Sequence, residues 1–384
     1  MTKPVIRKKY LLAPGPVPVP ESSRLIAAQS IIHHRTPQFE SILKECTDGL
    51  KKTFNTTQDV FIMAASGSGA MEAAMANIMS RGEKMLAIVG GKFGERWAKM
   101  GEAFGLDVQV MTLEWGSAPD PDDVKKILDA DKNIKAVFTQ LFETSTTTLF
   151  DIKAIAAITR TRDVMLVVDA VSALLATTFE MDAWGVDVAV CGSQKAFMLP
   201  PGLAYISLSE RAWDRVEKSD LPKFYFNLKA YKKSAAKNST PYTPAVMLVQ
   251  QLKETLRIIF ERGVEANIQD CVHQMNAVHA AAKALGLKLL SKNPGPPATG
   301  ILLPDSIDGA KIPKIMRDEY GVTVAGGQEH LKGKIIRIAH MGHVEFTDLV
   351  VAITTLEVVL RKLGYDKFEL GAGVAALTKE LYVV

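Results

Sequence analysis

The apolar positions between residues 60 and 208 form short runs that alternate with segments of helical periodicity. Seven of these runs predict strands, at residues 60–63, 85–89, 108–112, 134–139, 164–168, 186–190 and 203–208. Helices are predicted between most of them, among others at residues 70–76, 96–104, 122–129 and 152–161. Apolar strands that alternate with helices are typical of a mainly parallel sheet covered on both faces.

The alternation stops around residues 241–244. Long helices are predicted at 246–260 and 264–285, followed by strands at 300–303, 322–325 and 335–339 and helices at 310–320 and 348–363. We therefore predict an α/β protein with two domains. The large domain, with a mainly parallel seven-stranded sheet, spans residues 21–258, and a smaller C-terminal α+β domain spans residues 259–384.

Residues 1–20 are predicted to form an N-terminal arm. Prolines at positions 14, 16, 18 and 20 exclude a helix or a central strand there, because proline lacks a backbone donor and has a fixed φ. We expect this arm to lie extended, either on the surface or across a partner subunit.

The composition is that of an ordinary soluble globular protein, with 47% hydrophobic and 23% charged residues among 384. The net charge of +4 is small, and basic and acidic residues are mixed along most of the chain, so the charge gives no case for nucleic-acid binding. One basic run, residues 223–237, has interleaved aromatic residues but no accompanying nucleic-acid motif. We expect it to be a solvated or subunit-facing segment.

The three cysteines, Cys46, Cys191 and Cys271, are far apart in the chain, which indicates neither a metal site nor a disulfide framework. The basic N-terminus leads into prolines rather than an apolar signal core, and no run of about 18 apolar residues is free of charges. These features predict a cytoplasmic protein without membrane contact.

The best candidate for chemistry is Lys195, which follows the strand predicted at residues 186–190. Burial can lower an ammonium pKa by up to about 3 to 5 units, which makes the amine a nucleophile toward a carbonyl. The alternative is an ordinary surface lysine. Asp169 ends the preceding strand, where ligands bind in open α/β sheets. It could face the same crevice as the lysine, or it could cap a helix.

Three further strand ends carry candidate groups. Residues 66–69, Ser-Gly-Ser-Gly, precede a helix and would suit an anion, although a plain strand-to-helix turn explains them equally well. Phe93 stands between glycines and is either core or an aromatic plate. Residues 144–148 supply a cluster of hydroxyls. Together with Asp169 and Lys195, these are the parts needed to hold pyridoxal 5′-phosphate.

Seven motifs occur in the order found in the class V aminotransferases, and the chain resembles their alanine/serine–glyoxylate (serine–pyruvate) branch from about Tyr10 to its end. The motifs are Leu-Ala-Pro-Gly-Pro (12–16), His-Arg-Thr-Pro (34–37), Ser-Gly-Ser-Gly-Ala-Met-Glu (66–72), Glu-Thr-Ser-Thr (143–146), Val-Asp-Ala-Val-Ser (168–172), Gly-Ser-Gln-Lys-Ala (192–196) with Pro-Pro-Gly (200–202), and Arg-Ile-Ala-His-Met-Gly (337–342). The resemblance implies a homodimer of fold type I that depends on pyridoxal phosphate.

The resemblance also implies roles for single residues. Lys195 resembles the Schiff-base lysine, which would later move the substrate α-proton, and Asp169 resembles the acid paired with the pyridine nitrogen. Phe93 matches the ring-stacking aromatic, and Val171 matches the residue on the other face of the ring. Thr144 matches the donor to the ring oxygen.

Four residues match the phosphate-binding turn and its neighbour: Ser68, Gly69, Ala70 and Gln194. Thr243 resembles a threonine that the other subunit contributes to the phosphate. Arg337 matches the arginine that binds the substrate carboxylate, a task suited to a bidentate fork, and Gly15 is assigned to the substrate with it.

The implied activity is a ping-pong transamination from a small amino acid, alanine or serine, to a 2-oxo acid, glyoxylate or pyruvate. An alternative is an acidic donor such as aspartate, phosphoserine or an aminophosphonate, which would need a second arginine; Arg35 is a candidate. A third interpretation is a non-catalytic subunit, which predicts loss of the lysine or the acid.

The chain also departs from some relatives, at residues 146–148 and at Thr240, and these departures leave the donor side chain open. A desulfurase is disfavoured, because residues 325–333, where its mobile cysteine would lie, contain no cysteine.

Overall fold

The computed structural model describes residues 8–382. The strands of the described chain are β1 (Tyr10–Leu11), β2 (Val60–Ala64), β3 (Lys84–Val89), β4 (Asp107–Thr112), β5 (Ile134–Gln140), β6 (Phe142–Glu143), β7 (Thr148–Leu149), β8 (Met165–Asp169), β9 (Val188–Gly192), β10 (Leu203–Leu208), β11 (Lys288–Leu289), β12 (Ala298–Leu302), β13 (Val322–Thr323), β14 (Ala325–Gly326) and β15 (Ile335–Ala339).

The helices are α1 (Glu21–Ile26), α2 (Pro37–Phe54), α3 (Gly67–Ile78), α4 (Lys92–Ala103), α5 (Pro121–Ala130), α6 (Ile152–Thr159), α7 (Met181–Trp184), α8 (Glu210–Lys218), α9 (Leu228–Ala235), α10 (Val246–Arg262), α11 (Val264–Ala284), α12 (Lys311–Tyr320), α13 (Phe346–Lys362) and α14 (Ala372–Tyr382). None of the described helices is long and apolar enough to cross a membrane.

Seven strands form the main sheet, in the order β2-β10-β9-β8-β5-β3-β4. Only β10 among them is antiparallel to its neighbours, β2 and β9. Apolar clusters cover both faces of the sheet, which is why β8, β9 and β10 are buried along their whole length. The predicted seven-stranded, mainly parallel sheet is confirmed.

The register of this sheet brings three strand ends together. Gln140 at the end of β5 pairs with Asp169 at the end of β8, and Asp169 pairs with Val190 of β9. The turn that carries Lys195 follows β9 directly. The acid and the lysine therefore lie at one edge of the sheet, where parallel strands present their carboxyl ends.

The strand before Lys195 is displaced by two residues from its predicted position, residues 186–190, to Val188–Gly192. At its start, the Asp187 carboxylate accepts a hydrogen bond from the Leu166 amide at 2.8 Å. The same carboxylate forms an ion pair with Arg211 at 2.6 Å. At its end, pairing of Gly192 with Ala204 of β10 extends the strand. Apolarity alone could not locate either boundary.

A second, four-stranded antiparallel sheet has the order β11-β12-β15-β14 and its own apolar cluster with α11, α12, α13 and α14. The strand predicted at 322–325 is divided in the structure into two short strands, β13, which pairs with β1, and β14, which pairs with β15. Residue 258 lies within α10, whose Val249 and Leu252 pack in the core of the main sheet. The domain division at residues 20 and 258 stays a prediction.

The described part of the N-terminal arm, residues 8–20, is anchored in the core of its own chain by Leu12 and Val17 rather than lying wholly on the surface, which was one of its two expected positions. Its β1 pairs in parallel with β13, and the amide of Ala339 donates to the Leu12 carbonyl at 2.8 Å. Leu12 packs into the core of the second sheet, and Val17 into the core of the main sheet. Local sequence could not give this path, because every partner of the arm is distant in the chain.

Candidate active site

Lys195 is buried in the turn after β9, with 7% of the residue exposed. Burial lowers its pKa to about 8; the negative charge of Asp169 opposes this shift and the Arg337 charge supports it. Its ammonium Nζ donates a hydrogen bond to the Pro14 carbonyl of the N-terminal arm. The alternative of a surface lysine is therefore wrong, and about a tenth of this amine is neutral at pH 7, far more than for an ordinary lysine.

Gly15 lies against the same side chain. Its φ of +96° is in the region that favours glycine, and a Cβ at this position would overlap the Lys195 side chain. The motif glycine of the arm is thus brought to the Lys195 side chain by a close approach that a larger residue would prevent.

Asp169 is the last residue of β8 and is 6% exposed. Its Oδ1 accepts a hydrogen bond from the Val171 amide at 2.8 Å. Burial raises its pKa to about 6, although the charges of Arg96 and Lys195 lower it. The alternative of a helix N-cap is wrong, because the next helix, α7, begins only at Met181.

The Ser-Gly-Ser-Gly turn opens α3. The side chain of the N-cap residue, Ser66, does not cap the helix, while its carbonyl accepts from the Gly69 amide at 2.8 Å. The amides of Gly67 and Ser68 therefore have no acceptor within the helix. Nearby, the Oε1 of Gln194 is buried without a hydrogen-bond partner in the described chain. The two free backbone donors make a cradle that suits an anion, which Gln194 would face through its Nε2 donor rather than its Oε1 acceptor.

Phe93 stands in the first turn of α4, only partly buried, so it does not lie in the core. The amides of Phe93 and Gly94 donate to the Glu143 carboxylate at 3.2 and 3.0 Å. Burial raises the pKa of Glu143, and bonds from Ser145 and Gly94 lower it in part. Glu143 thus fixes the start of the helix that presents the aromatic ring, a role its position in a hydroxyl-rich stretch did not indicate.

Thr144 joins two parts of the site. Its Oγ1 donates to Ser172 Oγ at 2.7 Å, close to Val171 in the chain, and its carbonyl accepts from Arg337 Nη1 at 2.8 Å. The hydroxyl of Thr144 therefore faces the Asp169 loop while its backbone holds the arginine.

Arg337 is carried by β15 and is 7% exposed. Besides the bond to Thr144, its Nε and Nη2 donate to the Gly326 carbonyl at 3.1 and 2.8 Å. A guanidinium has one N–H group on Nε and two on each terminal nitrogen. Because Nη1 and Nη2 each use one in these bonds, one N–H group remains on each of them. Burial lowers its pKa to about 10, with the Glu143 charge opposing the shift, so the group stays cationic. The fork is free to bind one carboxylate end-on.

Two predicted residues lie apart from this group. Thr243 is exposed and borders an open groove with Ile31 and Met247. Arg35, the candidate second arginine, donates to Ser239 Oγ and to the Thr240 carbonyl. In the described chain, neither contacts Lys195 or Arg337.

No sequence pattern indicated a role for Arg96, which lies one turn after Phe93 in α4. Its guanidinium carbon lies 4.9 Å from the centroid of the Phe93 ring, and its Nη1 donates to Ser68 Oγ at 2.8 Å. An arginine among the charged residues of an amphipathic helix is ordinarily solvated, and only the structure brings it to the site.

Within residues 8–382, no group of three or more histidine, cysteine, aspartate or glutamate side chains is placed to hold a metal ion. The site instead combines an activated amine, a buried acid on the neighbouring strand, an anion cradle and an aromatic ring. These groups fit a planar carbonyl cofactor that carries a phosphate and a basic ring nitrogen. The fold and site thus define a pyridoxal-phosphate enzyme of fold type I.

The model of the family "Aminotransferase class-V" matches residues 22–338. The chain belongs to this family, and it is a transaminase that depends on pyridoxal phosphate.

Three relatives are similar over nearly the whole chain. The chain is 42% identical to a protein of Anabaena cylindrica named "Soluble hydrogenase 42 kDa subunit", covering 97% of this chain and 98% of that one. It is 36% identical to the L-aspartate–glyoxylate aminotransferase of Paracoccus denitrificans, covering 95% of this chain and 94% of that one. It is also 36% identical to the serine–glyoxylate aminotransferase of Methylorubrum extorquens, with 97% and 96% covered.

Among solved structures, the ureidoglycine–glyoxylate aminotransferase of Bacillus subtilis superposes with a TM-score of 0.93 at 26% identity, covering 98% of this chain and 99% of that one. The name of the Anabaena relative says that it is a subunit of a hydrogenase and nothing of whether it is catalytic, whereas the third interpretation of this chain was a non-catalytic subunit. That interpretation requires loss of Lys195 or Asp169, and both are present at one sheet edge.

Proposed function

We propose that the enzyme transfers the amino group of a small neutral amino acid, alanine or serine, to a 2-oxo acid, glyoxylate or pyruvate. Pyridoxal phosphate, when bound, supplies an electron sink and carries the amino group between the two half-reactions. The proposal concerns the residues that hold this cofactor and the substrate that they select.

In this proposal Lys195 binds the cofactor carbonyl and, once released, takes the proton from the substrate α-carbon and returns it. Asp169 keeps the ring nitrogen protonated, and a carboxylate with a pKa of about 6 is ionised near neutral pH. Phe93 and Val171 enclose the ring, and Thr144 donates to its oxygen by turning its hydroxyl proton away from Ser172, to which it donates in this structure.

The phosphate is assigned to the cradle of four residues described above: Ser68, Gly69, Ala70 and Gln194. The amides of Gly69 and Ala70 already donate to the Ser66 carbonyl, at 2.8 and 3.4 Å. The free amides of Gly67 and Ser68 therefore support the proposed anion site more strongly than the amides of Gly69 and Ala70 do.

The observation that carries the choice of donor is the setting of Arg337. Its two remaining N–H groups fit one α-carboxylate, with Gly15 close to the reacting amine. In the described chain the charged groups that interact with this guanidinium are Glu143 and Lys195, and no arginine or lysine other than Lys195 acts on it. A donor side chain with its own negative charge would lack a cation.

The Paracoccus relative supports the second candidate, an aspartate donor. For that candidate Arg35 would have to leave Ser239 and Thr240, to which it is bonded within the chain. The neutral donor needs no such rearrangement and is preferred.

We further propose a homodimer in the cytoplasm, in which Thr243 reaches the cofactor phosphate of the other subunit. Thr243 and the apolar residues Ile31 (69%) and Phe224 (81%) are exposed in the single chain. Exposed apolar side chains support a surface that a second subunit covers. The three cysteines are free and buried, which agrees with a reducing compartment.

A donor panel tests the proposal, with alanine, serine, aspartate and phosphoserine each offered with glyoxylate or pyruvate. We expect kcat/KM for alanine or serine to exceed that for aspartate by at least about tenfold, because an unpaired carboxylate is costly to desolvate. A preference for aspartate would refute the neutral donor. Lys195→Ala must remove both the visible cofactor absorbance and the activity; retention of either would refute the assigned lysine.

A further inference from the structure

Arg96 links two parts of the cofactor site that are otherwise separate. Its guanidinium lies over the Phe93 ring, with 4.9 Å between the guanidinium carbon and the ring centroid. The same side chain donates from Nη1 to Ser68 Oγ at 2.8 Å. One residue of α4 therefore contacts both the aromatic plate and the anion cradle at the start of α3.

The direction of this hydrogen bond decides what the serine can do. A guanidinium only donates, so Ser68 Oγ must accept from Arg96. The hydroxyl proton of Ser68 is then free to donate elsewhere, and the unpaired Gly67 and Ser68 amides stand in the same turn. Arg96 thus orients the hydroxyl as one more donor to an anion at this turn.

The charge of Arg96 has no local counter-ion. Within residues 8–382, no carboxylate lies within ion-pair distance of its guanidinium, whereas its neighbours in α4, Lys92 and Lys99, each pair with Glu95. Arg96 acts instead on the charges of Asp169 and Lys195. A cation without an ion-pair partner, beside backbone N–H groups that have no acceptor within the helix, is suited to a phosphate.

We infer that Arg96 is a positioning residue of the cofactor site, which turns the Ser68 hydroxyl toward the cofactor phosphate and holds the Phe93 ring in place. The inference rests on the proposed cofactor site and is independent of which amino acid is the donor. It adds a cation to a phosphate site that otherwise consists, in this chain, of amides, a hydroxyl and the Gln194 side chain.

The test compares two ligands that differ only in the phosphate. Dissociation constants of pyridoxal phosphate and of pyridoxal are measured by absorbance titration of the full-length apoenzyme, for wild type and Arg96→Met. We expect pyridoxal phosphate to bind at least about tenfold more weakly to the variant, the effect of losing a charge-assisted hydrogen bond. Pyridoxal, affected only through the stacking on Phe93, should weaken by less than about fivefold. Equal losses for both ligands, or no loss for pyridoxal phosphate, overturn the inference.

Two further variants keep the result interpretable. Arg96→Lys retains a charged donor and should recover most of the affinity for pyridoxal phosphate; a loss as large as that of Arg96→Met overturns the inference. Lys99→Gln is the matched control, because it removes the same charge from α4 at an exposed position. It should bind both ligands as wild type does, and thermal unfolding of each apoenzyme shows that the variants are folded.

A double-mutant cycle tests whether Arg96 acts through Ser68. In the Ser68→Ala background, Arg96→Met should cause little further loss of affinity for pyridoxal phosphate, since the oriented hydroxyl is already gone. If the losses of affinity caused by the two substitutions add up in the double variant, Arg96 does not act through Ser68. If Lys195→Ala still binds the cofactor covalently, the site assignment itself fails. If covalent binding requires Lys195 but the Arg96 variants bind pyridoxal phosphate as tightly as wild type, only the inference about Arg96 is refuted.

Discussion

The reactivity of this site is set at the level of single residues by the balance between burial and opposite charge. Burial favours the neutral amine of Lys195 and the neutral carboxyl of Asp169, while each group's charge favours the ionised form of the other. The resulting pKa values, about 8 and about 6, leave the acid ionised and the amine partly neutral around pH 7. The acid is therefore mostly in the ionised state proposed for holding the cofactor, and about a tenth of the amine is in the neutral form that attacks a carbonyl.

The rate of cofactor capture should depend on pH through Lys195. Because the pKa of this amine is lowered to about 8, the apoenzyme should react more slowly below that pH, by about tenfold per unit, and reach a plateau above it. Stopped-flow absorbance between about pH 6 and about pH 9 measures this rate. Free lysine, whose side-chain pKa is about 10.4, is the control and should show no plateau. A protein profile parallel to that of free lysine would contradict the lowered pKa.

At the level of elements, backbone carbonyls orient the groups that touch the substrate. The β14 strand supplies Gly326, and the segment after β6 supplies Thr144, and together these two carbonyls fix the plane of the Arg337 guanidinium on β15. In the same way, the Glu143 carboxylate fixes the start of α4 and thereby Phe93. The specificity of the site thus depends on where short strands and a helix begin and end.

Arg337→Lys should separate substrate binding from cofactor binding. Lysine keeps the positive charge but cannot form the bidentate fork, so we expect KM for both amino acid and oxo acid to rise by about 10- to 100-fold. The visible absorbance of the bound cofactor should not change. Arg317→Lys, at an exposed position of α12, is the control and should leave KM unaltered. An unchanged KM for Arg337→Lys would mean that another group holds the carboxylate.

In the whole molecule, the N-terminal arm connects the two sheets to the active site. Leu12 packs in the core of the four-stranded sheet and Val17 in that of the seven-stranded sheet. Between them, the Pro14 carbonyl accepts from Lys195, and the amide of Val17 donates to the Gln194 carbonyl at 3.2 Å. The arm is therefore part of the catalytic structure.

Leu12→Ala tests this connection. Leu12 is fully buried, so we expect the free energy of unfolding to fall by about 2 to 5 kcal/mol, together with faster loss of the cofactor on dilution. Urea unfolding and the visible absorbance measure the two effects. Leu25→Ala, 61% exposed in α1, should change the free energy of unfolding by less than about 0.5 kcal/mol. Equal behaviour of the two variants would show that the arm does not support the site.

The sequence was sufficient where local pattern and chain order determine position. Asp169 and Lys195 could be placed together because each follows an apolar strand, and neighbouring parallel strands end at one edge. Arg96, Glu143 and the path of the arm could not be predicted, because each depends on contacts between segments far apart in the chain. A helix surface position such as that of Arg96 carries no periodic signal that tells a solvated arginine from a site residue.

The pairing of β1 with β13 also bears on the order of events during biosynthesis. Tyr10 leaves the ribosome long before its strand partner, Val322, is translated. The main sheet, whose last strand ends at Leu208, can form while translation continues, since domains fold as the N-terminal portion emerges. The pairing of β1 with β13 and the arginine fork on β15 must await synthesis of residues 322–339. A translation product that stops before these residues therefore lacks both the strand that anchors the arm and Arg337.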